Sequence, residues 1–434
     1  MTKLKIDCFI LIFGELLRMK HSLNACLLVN KEWCNLVVPI LWKSTSAHYY
    51  FKNDELEKKW FNTILSCISP SSKQLLFDNN IELPSTILLK SPLFNYISFC
   101  EFPEAIVINK IVEMWETLQP LPSFPGASIC FSQLRRLCID IDLVNPNNIY
   151  KLAQICKDLN ELSINNCYQD FPGLITLIDV QRNLKSVELH NSGTFKELGN
   201  ALARKKNMIN YLYSYLISSI SLSFLTSLIN LKEISIYNYC NEYDEDFKHY
   251  FEISEFPDLE HLQINHLSCF KEISFLIEKT KGNISIIYIH TNNENIKNTG
   301  MLVKAIANNC PNIKRLTTYL DSRDFIYVKS LLLNCRYLEL IRFDSMNTFI
   351  DEDDNTGDEL LDILIKFSPN SLTKITISGR WKYSNDTFER FFESYRERTL
   401  SYFAVIFSDM YYITLDQVLM IRKYIEERVI KSTK

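Results

Sequence analysis

The sequence predicts an α/β protein in which a small helical segment precedes a solenoid of parallel strands and helices. Three observations predict this class. An apolar pattern recurs about every 25 residues, each copy ends in the alternation of a short strand, and stretches with helical periodicity separate the copies. The predicted domains are 1–45 for the helical segment, 46–90 for a linker or N-terminal cap, and 91–434 for the solenoid with a terminal helix.

The overall composition excludes several common classes of function. The chain has 434 residues, of which 47% are hydrophobic and 23% charged, as in an ordinary soluble globular protein. Its formal net charge of -4 offers no basic excess for nucleic acid or for an anionic membrane. Only 9 glycines occur, and none forms a glycine-rich phosphate loop. We therefore expect no cofactor, no nucleic-acid partner and no membrane partner.

The cysteines and the N-terminus predict an intracellular location. The 13 cysteines are odd in number and form no Cys-x-x-Cys pair, which is typical of free thiols in a reducing compartment. The apolar run over residues 8–13 is short and flanked by Asp7 and Glu15, so we expect no signal peptide. The sequence contains no stretch of 18 or more apolar residues, so no membrane span is predicted. The protein is expected in the cytoplasm or the nucleus, and the sequence does not distinguish the two.

The repeat is the strongest pattern in the sequence. Each copy follows apolar-x-x-apolar-x-apolar, as in Leu159-x-x-Leu162-x-Ile164. Clear copies begin at Leu134, Leu159, Leu184, Leu231, Leu259, Ile284, Ile313, Leu338, Leu372 and Leu400, and weaker ones at Ile209 and Phe94. Most steps between copies fall in the range of roughly 20–29 residues that characterises leucine-rich repeats. This period predicts parallel strands on a concave face and helices on the convex face.

Helical patterns fill the segments between the copies. They are predicted over residues 149–159, 301–309, 325–334, 359–367 and 388–396. A terminal helix is predicted over 414–430, where Thr414 and Gln417 have capping-box spacing. The longest step holds the acidic run 351–354, which is either a solvated insertion or a site for a basic partner.

No residue pattern points to catalysis. Cys156, Cys310 and Cys335 share one phase of the repeat, three residues before the first strand position, and are predicted to be buried packing residues. The seven histidines form no metal-binding spacing, and no nucleophile elbow occurs. We expect a non-enzymatic protein without a metal site.

Tyrosines occupy many of the strand positions that should face the concave surface. Tyrosine offers contact area and a hydroxyl at low entropic cost, which suits protein recognition. The alternative is the ordinary preference of tyrosine for strands. The predicted target-binding residues are Tyr213, Tyr215, Tyr237, Tyr288, His290 and Tyr319. Arginines on the same predicted face would permit a phosphorylated target without requiring one.

Residues 22–33 resemble the second half of the F-box motif. That motif has a Leu-x-x-Cys-x-x-Val segment with a tryptophan shortly after it, and Leu23, Cys26, Val29 and Trp33 match these positions. The same region has the helical apolar spacing of a block too small to bury much surface alone. It therefore suggests a surface that a partner completes, or one that docks onto the rest of the chain.

The flanking positions extend this resemblance to about 40 residues. Ile12-Phe13 fits the first helix of the motif, and Leu41-Trp42 fits its closing pair. This chain departs from the family's opening Leu-Pro pair, because Leu4 is followed by Lys5. With the repeats that follow, the chain is similar to F-box proteins with leucine-rich repeats, including the expanded sets found in some fungi.

The resemblance implies a substrate receptor of a Skp–cullin–F-box (SCF) ubiquitin ligase. Its helical segment would bind the Skp-family adaptor and so join the cullin complex, while the repeats would hold a target protein of unknown identity. The alternative is a leucine-rich-repeat scaffold that acts outside a ubiquitin ligase, which the Lys5 departure favours. The residues that the resemblance assigns to adaptor binding are Leu4, Ile12, Phe13, Leu23, Cys26, Val29, Trp33, Leu41 and Trp42.

Overall fold

The computed structural model divides the chain into two compact units. It describes residues 6–16, 20–45, 131–132, 134–191, 196–216, 223–238, 244–291, 297–345, 356–379, 381–406 and 414–433, with isolated positions between 59 and 96. The first unit comprises Met1–Cys167 with Phe171–Leu184, and the second comprises Tyr168–Asp170 with Lys185–Lys434. The predicted segment 46–90 lies mostly outside the described residues.

Where the first unit is described, it contains three N-terminal helices and two strand–helix repeats. The helices are α1 (Ile6–Leu16), α2 (Lys20–Cys26) and α3 (Lys31–Thr45), and the repeats are β1 (Arg136–Asp140), α4 (Pro146–Ile155), β2 (Glu161–Cys167) and α5 (Pro172–Val180). Strands β1 and β2 are parallel, with Leu137 opposite Leu162.

The second unit continues the same alternation. Its first half contains β3 (Ser186–Asn191), α6 (Lys196–Arg204), β4 (Tyr211–Leu216), a 3-10 turn (Ser223–Ser227), β5 (Glu233–Asn238), α7 (Asp244–Ile253), β6 (His261–Asn265), α8 (Phe270–Glu278) and β7 (Ile286–His290). Its second half contains α9 (Thr299–Asn309), β8 (Arg315–Leu320), α10 (Phe325–Asn334), β9 (Leu340–Ser345), α11 (Thr356–Phe367), β10 (Lys374–Ser378), α12 (Asn385–Glu393), β11 (Tyr402–Ile406) and α13 (Leu415–Glu426). Strands β3 to β11 pair in parallel and in chain order.

The predicted α/β leucine-rich-repeat architecture is confirmed. In the described part of the chain, a strand begins two residues after every predicted copy from Leu134 onward, including the weak copy at Ile209. Parallel strands with intervening helices follow because each unit is too small to bury its own apolar face and must stack on its neighbours. The copy predicted at Phe94 depends on residues 97 and 99, which lie outside the described residues.

The helices agree with their predictions within a few residues. The helix predicted over 149–159 spans Pro146–Ile155, because Asn145 caps it by accepting a 3.0 Å hydrogen bond from the amide of Asn147. Proline suits this first turn, where its missing amide hydrogen is not needed. The helix ends before Leu159, whose side chain is buried where the next strand begins. The acidic run 351–354 lies outside the described residues.

The C-terminal segment covers the last strand, as expected of a terminal cap. Thr414 and Gln417 form the predicted capping box at the start of α13. Beyond α13 the chain runs beside β11, where the amide of Phe403 donates to the carbonyl of Ser432 at 3.1 Å. Just before the strand, the amide of Leu400 donates to the carbonyl of Val429 at 2.8 Å. These bonds occupy polar groups that an open sheet edge would expose.

One glycine is required by close packing after β10. Gly379 has a φ of +109°, a conformation that favours glycine. A Cβ at this position would also collide with the hydroxyl oxygen of Ser345.

Across the described residues, no helix combines the length and the apolar content needed to cross a lipid bilayer.

Candidate protein-interaction surfaces

The N-terminal helices form a small core of their own. Phe13, Leu23 and Cys26 are buried there. The Trp33 ring packs against it, with its centroid 5.5 Å from that of Phe9 and 5.2 Å from that of Phe13. These contacts hold α1, α2 and α3 together, although so short a segment can bury only a small apolar core.

The same segment exposes a set of large apolar side chains. They belong to Ile10, Leu11 and Ile12 of α1 and to Leu28 and Val29 after α2. Leu11 is 72% exposed and Leu28 is 89% exposed. Exposed apolar side chains on so small a segment are typical of a surface that another protein covers.

The predicted adaptor-binding residues therefore differ in their exposure and in what they contact. Ile12 and Val29 are exposed, whereas Phe13, Leu23 and Cys26 stabilise the helical core from within. Trp33 and Leu41 are partly buried against that core. Trp42 packs against Tyr96, which lies beyond the helical segment, with the two ring centroids 4.5 Å apart. Leu4 lies outside the described residues, and the adaptor-binding role of the set stays a prediction.

Alternate side chains of the strands in the second unit lie on one side of the sheet, and part of this side reaches solvent. Along β4 the side chains of Leu212 and Ser214 are buried, whereas those of Tyr211, Tyr213 and Tyr215 are partly exposed. The parallel register places the corresponding positions of β3–β10 on the same side of the sheet. Several of the side chains at these positions are buried, namely those of Ser235, Asn265, Thr317, Asp344 and Thr376. We call the side formed by the first, third and fifth strand positions of β3–β10 the open face. All six predicted target-binding residues lie at these positions.

A stack of three rings crosses the open face from β3 to β5. The ring of His190 lies parallel to that of Tyr215, with centroids 4.3 Å apart, and Tyr215 stacks on Tyr237 at 4.6 Å. The Gln263 amide donates a 2.5 Å hydrogen bond to the hydroxyl of Tyr237. These contacts hold the rings in place before any partner arrives, which lowers the entropy cost of binding.

Two carboxylates flank these rings. The Glu188 carboxylate lies 2.9 Å from the His190 ring, and the Glu233 carboxylate lies 3.2 Å from the His261 ring. Burial, together with the charge of Glu233 and a hydrogen bond to it, raises the pKa of the Tyr213 phenol above its ordinary value. This phenol therefore stays neutral and remains a hydrogen-bond donor near neutral pH.

The remaining predicted target-binding residues differ in their exposure to solvent. Tyr288 and His290 are partly exposed, and burial lowers the pKa of His290 below its ordinary value. Tyr319 is only 9% exposed, and its hydroxyl donates a 2.5 Å hydrogen bond to the carbonyl of Thr291. That hydroxyl is engaged by the chain's own backbone, so Tyr319 anchors the segment after β7.

Basic side chains occupy the other end of the open face. Arg315 and Lys374 are exposed at the first positions of β8 and β10. Arg342 lies at the third position of β9, and its Nε contacts the buried Asp344 carboxylate at 3.0 Å. Glu188, Glu233 and Lys374 were not among the predicted site residues, although the strand alternation that located the tyrosines applies equally to them.

A buried glutamine was also missed. Gln181 accepts a hydrogen bond from the amide of Leu159 at 2.9 Å and donates to the carbonyls of Cys156 and Leu177, each at 2.8 Å. It lies three residues before Leu184, in the phase already noted for the three cysteines. That shared phase is the pattern that could have identified it.

The cysteines of that phase pack in the interior, as predicted. Cys156, Cys310 and Cys335 are each buried, and the Cys335 thiol donates a 3.4 Å hydrogen bond to the carbonyl of Cys310. Burial raises the pKa of the Cys156 and Cys335 thiols to about 12. Within the described ranges, no three histidine, cysteine or acidic side chains are grouped as metal ligands would be.

The sequence matches no family model and no curated protein. Among solved structures, the leucine-rich repeat-containing protein LegL7 from Legionella pneumophila is similar to it. The two are 12% identical, with a TM-score of 0.33, over 71% of this chain and 95% of LegL7. The assignment of the fold rests on the repeat spacing and strand register of this chain, and a stacked-repeat fold provides an extended surface suited to protein interaction.

Proposed function

We propose that the chain is a non-catalytic substrate-recognition adaptor of an SCF-type ubiquitin ligase. Its N-terminal helices bind a Skp-family adaptor, which joins the chain to the cullin complex, and its repeats bind the protein to be ubiquitinated. The observation that supports this most is the group of exposed apolar side chains in the described part of the segment that resembles an F-box. Such side chains supply binding energy when a partner removes them from water.

No side chain of this chain needs to transfer a proton in that role. The ligase gains rate because the adaptor holds the target's lysines at high local concentration beside an enzyme bound elsewhere. Two separate binding surfaces are sufficient, and the helical segment and the open face provide candidates for both.

We expect the double variant Leu11→Asp, Leu28→Asp to lose adaptor binding. A carboxylate at each site would have to be buried unpaired in the complex, and two such sites weaken binding by roughly a thousandfold. The measurement is co-expression of the full chain with a Skp-family adaptor, followed by size-exclusion chromatography and titration of the purified complex.

The matched control is Ile326→Asp with Leu415→Asp. These residues are 69% and 74% exposed, and they lie in α10 and α13, far along the chain from the helical segment. The control should keep the one-to-one complex. A native chain that forms no complex, or a complex that the Leu11 and Leu28 changes leave intact, would contradict the proposal.

The triple variant Tyr213→Ala, Tyr237→Ala, Tyr288→Ala should abolish target capture and leave adaptor binding unchanged. It removes three rings from the open face, and aromatic side chains of this kind dominate many interfaces. Quantitative mass spectrometry of captured proteins measures the effect. The control replaces three exposed tyrosines elsewhere, Tyr150, Tyr168 and Tyr337, and should retain the captured set.

A scaffold outside any ubiquitin ligase is the second candidate. The contact between Trp42 and Tyr96 favours it, because the closing tryptophan of the F-box-like segment packs against the chain itself. Under this alternative the native chain is soluble and monomeric alone, and it captures the same target without an adaptor.

A further inference from the structure

Apart from Asp344 on β9, the charges on the open face are separated by sign along the second unit. The third strand positions, taken from β3 to β10, are Glu188, Tyr213, Ser235, Gln263, Tyr288, Thr317, Arg342 and Thr376. An acid stands at one end, a base lies near the other, and five neutral side chains lie between them. The first positions repeat this order, with Glu233 on β5 and then Arg315 and Lys374 on β8 and β10.

The acidic end carries two carboxylates. Glu188 lies 2.9 Å from the His190 ring, and Glu233 lies 3.2 Å from the His261 ring. The ring stack beside them covers both faces of Tyr215 and one face of Tyr237, and the outer face of a tyrosine ring attracts cations. This end therefore suits a lysine or arginine side chain.

The basic end keeps a positive charge. Among the residues that the structure describes, no carboxylate lies within ion-pair distance of Arg315 or Lys374. Arg342 contacts Asp344 through Nε, so its two terminal amino groups have no partner in this part of the chain. Three cations and one carboxylate leave an excess of positive charge. Guanidinium groups with free amino ends bind carboxylates or phosphates in a bidentate manner.

The spacing of the strands sets the length of the occupant. Neighbouring strands lie about 4.8 Å apart, so Glu233 and Arg315, three strands apart, are separated by about 14 Å. Glu188 and Arg342 are six strands apart, or about 29 Å. An extended peptide advances about 3.3 Å per residue, so these distances correspond to roughly four to nine residues.

We propose that the open face binds an extended peptide segment of the target protein, with a basic residue at one end and an anionic residue about four to nine positions away. The basic residue lies over Glu188, Glu233 and the outer face of Tyr237. The anionic residue lies among Arg315, Arg342 and Lys374. This inference rests on the proposed role of the repeats in target binding, and it names the chemistry of the target. The anionic group is a carboxylate or a phosphoryl group.

Selection from a random twelve-residue peptide library, displayed on phage and panned on the full chain, tests the proposal. Enriched sequences should combine a basic and an acidic residue four to nine positions apart. The variant Arg315→Glu, Lys374→Glu should select basic residues at both ends and bind the peptides selected by the native chain roughly tenfold more weakly. A synthetic array that replaces the acidic residue by phosphoserine shows which of the two anions binds more tightly.

The control variant reverses two charges on the helices, Lys304→Glu in α9 and Lys329→Glu in α10, and should select the native pattern. No enrichment, or enrichment without the charge spacing, would overturn the proposal. So would an unchanged pattern in the Arg315 and Lys374 variant. Adaptor binding is measured on the same preparations, so a failed peptide selection beside an intact adaptor complex refutes the target chemistry alone. Loss of the adaptor complex instead refutes the ligase role.

Discussion

Replacing Phe392 by alanine should lower the free energy of unfolding of the second unit by about 3–5 kcal/mol. Phe392 is buried in α12 at the C-terminal end of the repeats. Its ring centroid lies 5.0 Å from that of Phe403 in β11 and 5.0 Å from that of Tyr424 in α13. The substitution leaves a cavity between the last strand and the terminal helix, where surrounding rings cannot close in fully.

The effect extends beyond one cavity because this cluster seals the end of a stack. Each repeat of a solenoid depends on its neighbours, so loosening the terminal one exposes the apolar face of the next. Urea unfolding followed by circular dichroism measures the loss. Phe392→Leu should cost less, and Tyr337→Ala, at a site 61% exposed, should change the free energy of unfolding by under about 0.5 kcal/mol. An equal effect of Tyr337→Ala and Phe392→Ala would show that this cluster does not close the repeats.

Gln181→Leu should destabilise the first unit by about 2–4 kcal/mol, although leucine has a similar size. Gln181 satisfies the amide of Leu159 and the carbonyl of Cys156, and both of those residues are buried. Leucine offers neither a donor nor an acceptor. The loss therefore includes the cost of leaving buried backbone groups without partners, which exceeds the net value of the hydrogen bonds themselves.

Hydrogen exchange at the Leu159 amide is the direct measurement, together with urea unfolding. Protection of that amide should fall in the variant, because its acceptor is gone. The control is Asn183→Leu, which removes an exposed 3.2 Å hydrogen bond to Asp158 in the same part of the unit. It should change stability by under about 0.5 kcal/mol. Unchanged protection of Leu159 in the Gln181 variant would contradict the assigned role.

The strands were the most predictable part of this protein. Their positions follow from a period of buried leucine and isoleucine, and burial of alternate residues is a local property of a strand. The weak copy at Ile209 shows this well, since β4 begins two residues later like every other described strand. Helix ends were less predictable, because a cap such as Asn145 shifts a boundary by a few residues.

The candidate surfaces were predictable only in part. Alternation placed Tyr213 and Tyr237 on one face correctly, but it did not show that the Tyr319 hydroxyl is engaged by a backbone carbonyl. The helical spacing of the N-terminal segment did not separate Phe13, which is buried, from Ile12, which is exposed. Helical spacing does not decide which of two neighbouring apolar residues on a short helix is buried, because that depends on what the helix packs against.

By itself, the sequence determined the repeat, the strand positions, the terminal capping box and the buried phase shared by the three cysteines. Each of these depends on spacing within one or two turns or strands. Only the tertiary structure decided which apolar residues of the helical segment reach solvent, what Gln181 bonds to, and how charges are ordered across the open face. The charge order depends on the register of adjacent strands, Gln181 bonds to the preceding repeat, and the helical segment depends on packing between its helices. A pattern local to one repeat or one helix does not contain these long-range contacts.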